Sequence, residues 1–224
     1  MAHAASMRGL VGGIDEAGRG CLVGDLVVAG VSISKKRIGA LKELGVRDSK
    51  LLSPRRREAL YGEILKVSRR VCSTRIPPHE IDAVVSTGRR YRKLNYLEAV
   101  YFARVADRLG ASHVTVDASD TSPERFRSTI VGKMKTRCTV VAYHKADRNF
   151  PVVSAASIVA KVERDRAVER LREKYGDFGS GYPSDKRTRD FFTEMMRKRE
   201  GLPDYVRKSW KTLGRLEQSL LAPL

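Results

Sequence analysis

The stretch Gly12–Gly20, GGIDEAGRG, constrains this chain more than any other. An apolar run flanked by glycine reads as a short strand. It ends in two adjacent carboxylates, Asp15 and Glu16, followed at once by a Gly-Arg-Gly turn. A carboxylate pair repels itself and resists burial, so a positive group is expected beside it. Any fold for this chain must therefore bring a strand end to a site that holds compensating charge.

The flanking segments supply that fold. GLVGGID and DLVVAGVSIS read as two strands joined by the EAGRGCLVG turn region, an antiparallel pair. SPRRREALYGEILKVS opens on Ser53 as N-cap with Pro54 in the first turn and reads as a helix. RVCSTRIP is the next strand. NYLEAVYFARVADRLG has the clearest helical period and stops at Gly110. SHVTVDAS reads as a buried strand ending in Asp117, and CTVVAYHKAD as another ending near Asp147. A long helix is expected over 154–176 and a further one over 188–201, stopped by Gly201 and Pro203. The pattern predicts an α/β fold, a mixed sheet with helices on its faces, followed by a helical tail. With 224 residues and 42% hydrophobic content, the chain suffices for one sizeable core. We read residues 1–224 as a single domain, with a C-terminal helical extension packed on it from about 185 to 224, and find no repeat or splitting linker.

Charge points to the partner. Lys and Arg number 44 against 26 Asp and Glu, a formal net charge of +18, which favours a polyanion. Three scattered cysteines, Cys21, Cys72 and Cys138, do not suit a disulfide framework and fit a reducing compartment. With no apolar run long enough to span a bilayer, a cytoplasmic protein is expected, with no membrane partner.

Three strand ends carry acidic residues: Asp15 with Glu16, Asp117, and Asp147. Taken singly, an aspartate after a strand is commonly a turn former or a helix cap. Four carboxylates converging on one rim would instead drive each other's pKa upward until a cation neutralised them. Hard oxygen ligands without a histidine or cysteine cluster suit Mg²⁺ or Mn²⁺, and two such ions would clamp a phosphodiester displacement.

At this point the motifs carry a resemblance. GIDEAGRG, RDSK at 47–50, VDAS at 116–119, HKAD at 144–147, VVSAASIVAKVERD at 152–165 and GSGYPSD at 179–185 resemble ribonuclease HII, most closely its archaeal branch. They stand in the family's order along nearly the whole chain. The resemblance implies an RNase H-like fold with a C-terminal helical region. It implies cleavage of RNA in RNA/DNA hybrids, and of ribonucleotide-containing duplex DNA on the 5′ side of the ribonucleotide, leaving 3′-hydroxyl and 5′-phosphate ends. It implies Asp15, Glu16, Asp117 and Asp147 as catalytic metal ligands. Two positions depart from the family's GRGPxxGP pattern: Cys21 and Asp25 stand where proline is frequent, so the backbone of this loop is freer than in relatives.

Gly18-Arg19-Gly20 can then be read. Glycines let the backbone approach a sugar and aim N–H and C=O groups at it. The 2′-hydroxyl distinguishes RNA from DNA, so a backbone clamp reads the sugar without reading the base. By the resemblance, Tyr182 packs against the neighbouring deoxyribose. Lys50, Lys161 and Arg19 are candidate phosphate-side or site-lining cations, Lys50 ranking above Lys161 by its motif. His144 is read as structural, for lack of a partner role.

Two competing readings remain at this level: a junction resolvase or other nuclease of the same fold, and a non-catalytic basic RNA-binding protein. A monomer is expected. The tail GRLEQSLLAPL matches the first spacings of a sliding-clamp ligand at Gln218, Leu221 and Leu224, but it lacks the usual aromatic pair. Packing of Leu216, Leu220 and Leu221 onto the body accounts for the same pattern, so any clamp contact is expected to be weak.

Overall fold

The computed structural model describes residues 9–46, 52–87, 93–198 and 201–221. Five strands form one sheet in the order β3-β2-β1-β4-β5: β1 (Leu10–Ala17), β2 (Leu26–Ser34), β3 (Arg70–Ile76), β4 (His113–Asp117) and β5 (Thr139–Tyr143). The expected antiparallel pairing of β1 with β2 is present, Leu10 opposite Ser34 through Ala17 opposite Val27. β3 extends it antiparallel, whereas β4 and β5 join parallel on the other side of β1. The sheet is mixed, and β1 is its centre.

Helices cover both faces. On one lie α3 (Pro78–Thr87), α4 (Leu94–Leu109) and α5 (Pro123–Lys133), packed on Ile14, Val28, Val114 and Val116. On the other, α1 (Ile38–Glu43), α2 (Pro54–Val67) and α7 (Pro151–Tyr175) pack on Val27, Ala29 and Val31. The alternation of side chains along β1 and β2 divides the core into these two layers. Ser53 caps α2 by accepting the Arg56 N–H, and Gly110 ends α4 in the left-handed conformation, as the sequence predicts.

The long helix starts three residues before the expected 154, because Pro151 takes its first turn. It lies unusually close to the sheet. A Cβ added to Gly13 would sit 2.4 Å from the Val152 carbonyl carbon, so only glycine allows this contact between α7 and β1.

One expected strand end is corrected. β5 stops at Tyr143, and Asp147 lies beyond it in the short helix α6 (Ala146–Asn149). The cause is local: Lys145 adopts the left-handed region at φ 56° and turns the chain out of the sheet. The helix expected over 188–201 runs as α8 (Lys186–Arg197), capped by Asp185, whose carboxylate accepts the Arg187 N–H at 3.0 Å. With α9 (Lys211–Leu221) it encloses a third apolar cluster of Leu22, Val23, Val168, Phe178, Phe192, Tyr205, Val206 and Leu213. This cluster joins the C-terminal region to the loop after β1 and to the far end of α7. No described helix is long and apolar enough to cross a membrane.

Candidate active site

Strand register brings the first two carboxylates together. β1 and β4 run parallel with Ile14 opposite Val116, so Asp15 and Asp117 follow side by side at adjacent strand ends. Asp147 arrives from α6, whose first N–H, that of Ala146, donates to Asp117 Oδ1 at 3.1 Å. The Ser154 hydroxyl of α7 donates to the Asp147 carbonyl and ties α6 to the long helix. Oxygens of Asp15, Asp117 and Asp147 consequently lie within 4.8 Å of one another.

Among the described residues these three carboxylates form one group. Glu16, the next residue along the strand, keeps its carboxylate within reach of Asp15, feels Glu98 and Arg19 as well, and lines the same cavity. Burial, then the Asp15 and Glu98 carboxylates, hold Glu16 well above the usual carboxylate range. Burial also raises Asp15, against the pull of the Lys161 ammonium and the Ser157 hydroxyl. Lys161 in turn donates to Ser157 Oγ at 2.7 Å. Residues 157 and 161 are one helical turn apart, so α7 presents both to Asp15.

The donor set fits hard divalent cations. It contains only carboxylate oxygens, and Asp147 Oδ1 is buried with no hydrogen-bond partner, an acceptor that a cation would satisfy. The cavity around it measures about 670 Å³ and is also lined by Gly18, Arg19, Gly20, Lys161, Arg164 and Tyr182.

Gly18 takes φ +90°, and a Cβ there would meet the Asp25 carbonyl at 3.1 Å. The Cys21 N–H donates to the Gly18 carbonyl at 3.2 Å, closing a tight turn over Arg19 and Gly20. The Arg19 guanidinium is drawn inward: it donates to the Ser119 carbonyl at 2.6 Å and to Asn95 Oδ1, and pairs with Glu98 at 3.2 Å. Glu98 has no solvent exposure, and burial pushes it to about 7 against the pull of Arg19.

Arg164 links this turn to the Tyr182 loop. Its Nη2 donates to the Ser180 carbonyl at 2.6 Å and to Cys21 Sγ at 3.0 Å, and the guanidinium lies 4.7 Å from the Tyr182 ring centre. Burial pushes the Tyr182 phenol to about 12, with Cys21 beside it. Asp25 stays outside the carboxylate group. His144 Nδ1 lies 3.3 Å from the Ala118 carbonyl, a contact within the scaffold. Lys50 lies outside the described residues, as does Leu224. Gln218 is exposed on α9, and Leu221 ends that helix.

Glu98, Arg164 and Arg207 were not singled out from sequence. Glu98 had a readable signal: it stands four residues before Phe102 on the apolar stripe of α4, where an isolated acid needs a partner. Arg207, buried in an irregular segment, had none.

A mixed sheet of this order, carrying three carboxylates at one rim of a strongly basic chain, defines the class: a metal-dependent nuclease of the RNase H fold. The crystal structure of the ribonuclease H2 from Pyrococcus horikoshii OT3 superposes with a TM-score of 0.85 at 40% identity, covering 96% of this chain and 100% of that one. Bst-RNase HIII, at 18% identity and a TM-score of 0.79, shares the fold over 97% of this chain and 72% of its own.

Sequence comparison narrows the class. The family model for ribonuclease HII matches residues 12–213, and the chain belongs to that family. The ribonuclease HII of Cenarchaeum symbiosum is 50% identical over 202 residues, 90% of this chain and 95% of that protein. The ribonuclease HII of Archaeoglobus fulgidus, solved in a complex with PCNA, aligns at 43% identity with a TM-score of 0.84, over 93% of this chain and 97% of that one. The chain is accordingly an endonuclease of the RNA strand in RNA/DNA hybrids, dependent on divalent metal, and not a resolvase or a passive RNA-binding protein.

Proposed function

We propose that this enzyme also nicks duplex DNA on the 5′ side of an embedded ribonucleotide, leaving 3′-hydroxyl and 5′-phosphate ends. The observation that carries the reading is the junction of two things in one cavity: the Asp15, Asp117 and Asp147 cluster, and a glycine turn whose backbone borders it. Asp15, Glu16, Asp117 and Asp147 would hold two Mg²⁺ or Mn²⁺ ions, which would supply Lewis-acid stabilisation of a phosphodiester displacement.

The chain's own residues do the rest. Lys161, acting with Ser157, holds Asp15 in one orientation and lowers the cost of its charge. The Gly18-Arg19-Gly20 backbone binds the ribose 2′-hydroxyl, and a sugar-reading backbone gives cleavage independent of base sequence. Tyr182, backed by Arg164, stacks on the adjacent deoxyribose and selects the RNA-to-DNA junction. Lys50 contacts a phosphate, and the remaining basic surface supplies general attraction to the duplex.

The enzyme works as a monomer and a single catalytic unit, with the helical region from about 185 onward packed on it. Three free cysteines support a cytoplasmic setting. The PCNA complex of the Archaeoglobus relative supports a sliding-clamp contact of this chain through Gln218, Leu221 and Leu224. That contact is weak, because the tail lacks aromatic anchors. Removing residues 218–224 tests it. Loss of a measurable clamp affinity with little change in melting temperature supports the contact, and a marked drop in melting temperature in a protein that never bound clamp rejects it.

The decisive assay for the proposed activity uses duplex DNA with one ribonucleotide, in Mg²⁺, Mn²⁺ or EDTA, with both product ends mapped. A nick 5′ of the ribonucleotide that EDTA abolishes is expected. Cleavage restricted to continuous hybrids, or a nick on the 3′ side, rejects the proposal.

A further inference from the structure

Arg207 is fully buried, yet among the described residues no carboxylate lies within ion-pair distance of it. Burying an arginine without an acidic partner is costly, so the bonds it does make matter. Two nitrogens serve the loop that follows β1, Nε donating to the Gly24 carbonyl at 3.0 Å and Nη1 to the Arg19 carbonyl at 2.9 Å, while Nη2 is buried without a hydrogen-bond partner and the guanidinium lies 5.2 Å from the Trp210 ring centre. The backbone around it is zipped to the same loop. The Arg207 N–H donates to the Leu22 carbonyl at 2.9 Å, the Gly24 N–H to the Tyr205 carbonyl at 2.8 Å, and Val23 bridges Val206.

The Arg19 carbonyl belongs to the central peptide of the turn closed by Cys21 and Gly18. That peptide makes no hydrogen bond inside the turn. Types I and II of such a turn differ by a rotation of about 180° of this one unit. The peptide is trans, so its C=O and N–H point in opposite directions. Drawing the Arg19 carbonyl inward to a buried cation therefore turns the Gly20 N–H outward. Gly20 is exposed, it borders the carboxylate-lined cavity, and its N–H has no partner among the described residues. The flipped alternative would offer the cavity a carbonyl, which accepts but cannot donate.

We propose that Arg207 is a positioning residue that fixes this peptide so that the Gly20 N–H donates to the 2′ oxygen of the bound ribose. The proposal rests on the sugar-reading role given above to Gly18, Arg19 and Gly20. It makes the C-terminal segment part of substrate discrimination, although that segment lies behind the turn and away from the reacting phosphate.

The test measures Kd for two duplexes of one sequence, all-DNA and with a single ribonucleotide. It is run in Ca²⁺, whose looser coordination differs from that of Mg²⁺, with absence of cutting verified. The parent protein prefers the ribonucleotide duplex. Arg207→Met, if folded, narrows that preference by about fivefold, the scale of one hydrogen bond, with the all-DNA Kd unchanged within about twofold. Arg207→Lys keeps one donor for the Arg19 carbonyl and recovers most of the preference. A folded Arg207→Met protein with the parent's preference overturns the proposal. If Arg207→Met does not fold, amide exchange in the parent decides: the ribonucleotide duplex protects the Gly20 N–H and the all-DNA duplex does not. Equal protection by both, or by neither, overturns it. A parent protein without any preference between the duplexes overturns the sugar-reading role itself, and the proposal with it.

Discussion

The Arg19 guanidinium lies 3.2 Å from the carboxylate of Glu98, a side chain without solvent exposure on helix α4. The arginine of the glycine turn thus points into the protein. What the turn offers the cavity is backbone, held from behind by Glu98 through the side chain and by Arg207 through the carbonyl.

Glu98 makes this anchor pH-dependent. Its pKa rises from 4.5 to about 7 on folding, so the protonated carboxyl stabilises the native state fully below 4.5. That contribution is lost as pH rises through 7. Glu98→Gln keeps an uncharged group there and removes this titration. In EDTA, the melting temperature of the parent relative to Glu98→Gln should fall between pH 4.5 and 7. Parallel curves would show that Glu98 does not titrate in this window.

The contact between β1 and α7 is equally specific. Gly13→Ala puts a methyl 2.4 Å from the Val152 backbone, where no side-chain rotation relieves it. It should cost about 1–3 kcal/mol of stability, measured by denaturant unfolding. Activity should fall as well, since the same helix carries Ser157 and Lys161 to Asp15. A change below about 0.5 kcal/mol would mean that the helix moves away freely.

Much of this was legible beforehand, for identifiable reasons. The antiparallel β1–β2 pair and helix α4 follow from glycine punctuation and hydrophobic period, both local signals. Asp15 and Asp117 could be read as strand ends because their strands are short, apolar and bounded. Asp147 was misplaced by four residues, since a left-handed Lys145 carries no reliable sequence mark. The adjacency of Glu16 to Asp15 is plain in the sequence. Its encounter with Glu98, however, depends on long-range packing. Helices α3 and α5 went unmarked in short, mixed segments, although Ser122 and Pro123 give α5 an ordinary start.

Tyr182 tests the junction selectivity. Its ring is flanked by Arg164 on the protein side at 4.7 Å. Tyr182→Ala should reduce kcat/KM on a single embedded ribonucleotide by about 5- to 100-fold, the scale of one lost stacking contact. The loss on a uniform RNA/DNA hybrid should be smaller, and Tyr182→Phe should retain most activity on both. Equal losses on the two substrates would reduce Tyr182 to a packing role.

The central claim is that the carboxylate cluster holds the catalytic cations while the basic surface holds the duplex. Asp117→Asn separates the two most directly, because Asp117 sits within 4.8 Å of Asp15 and Asp147 and its loss changes charge without changing shape. In Mg²⁺, cleavage of the single-ribonucleotide duplex should drop by about 1,000-fold or more, with the duplex Kd within about threefold of the parent. Turnover within a few-fold of the parent would contradict the account.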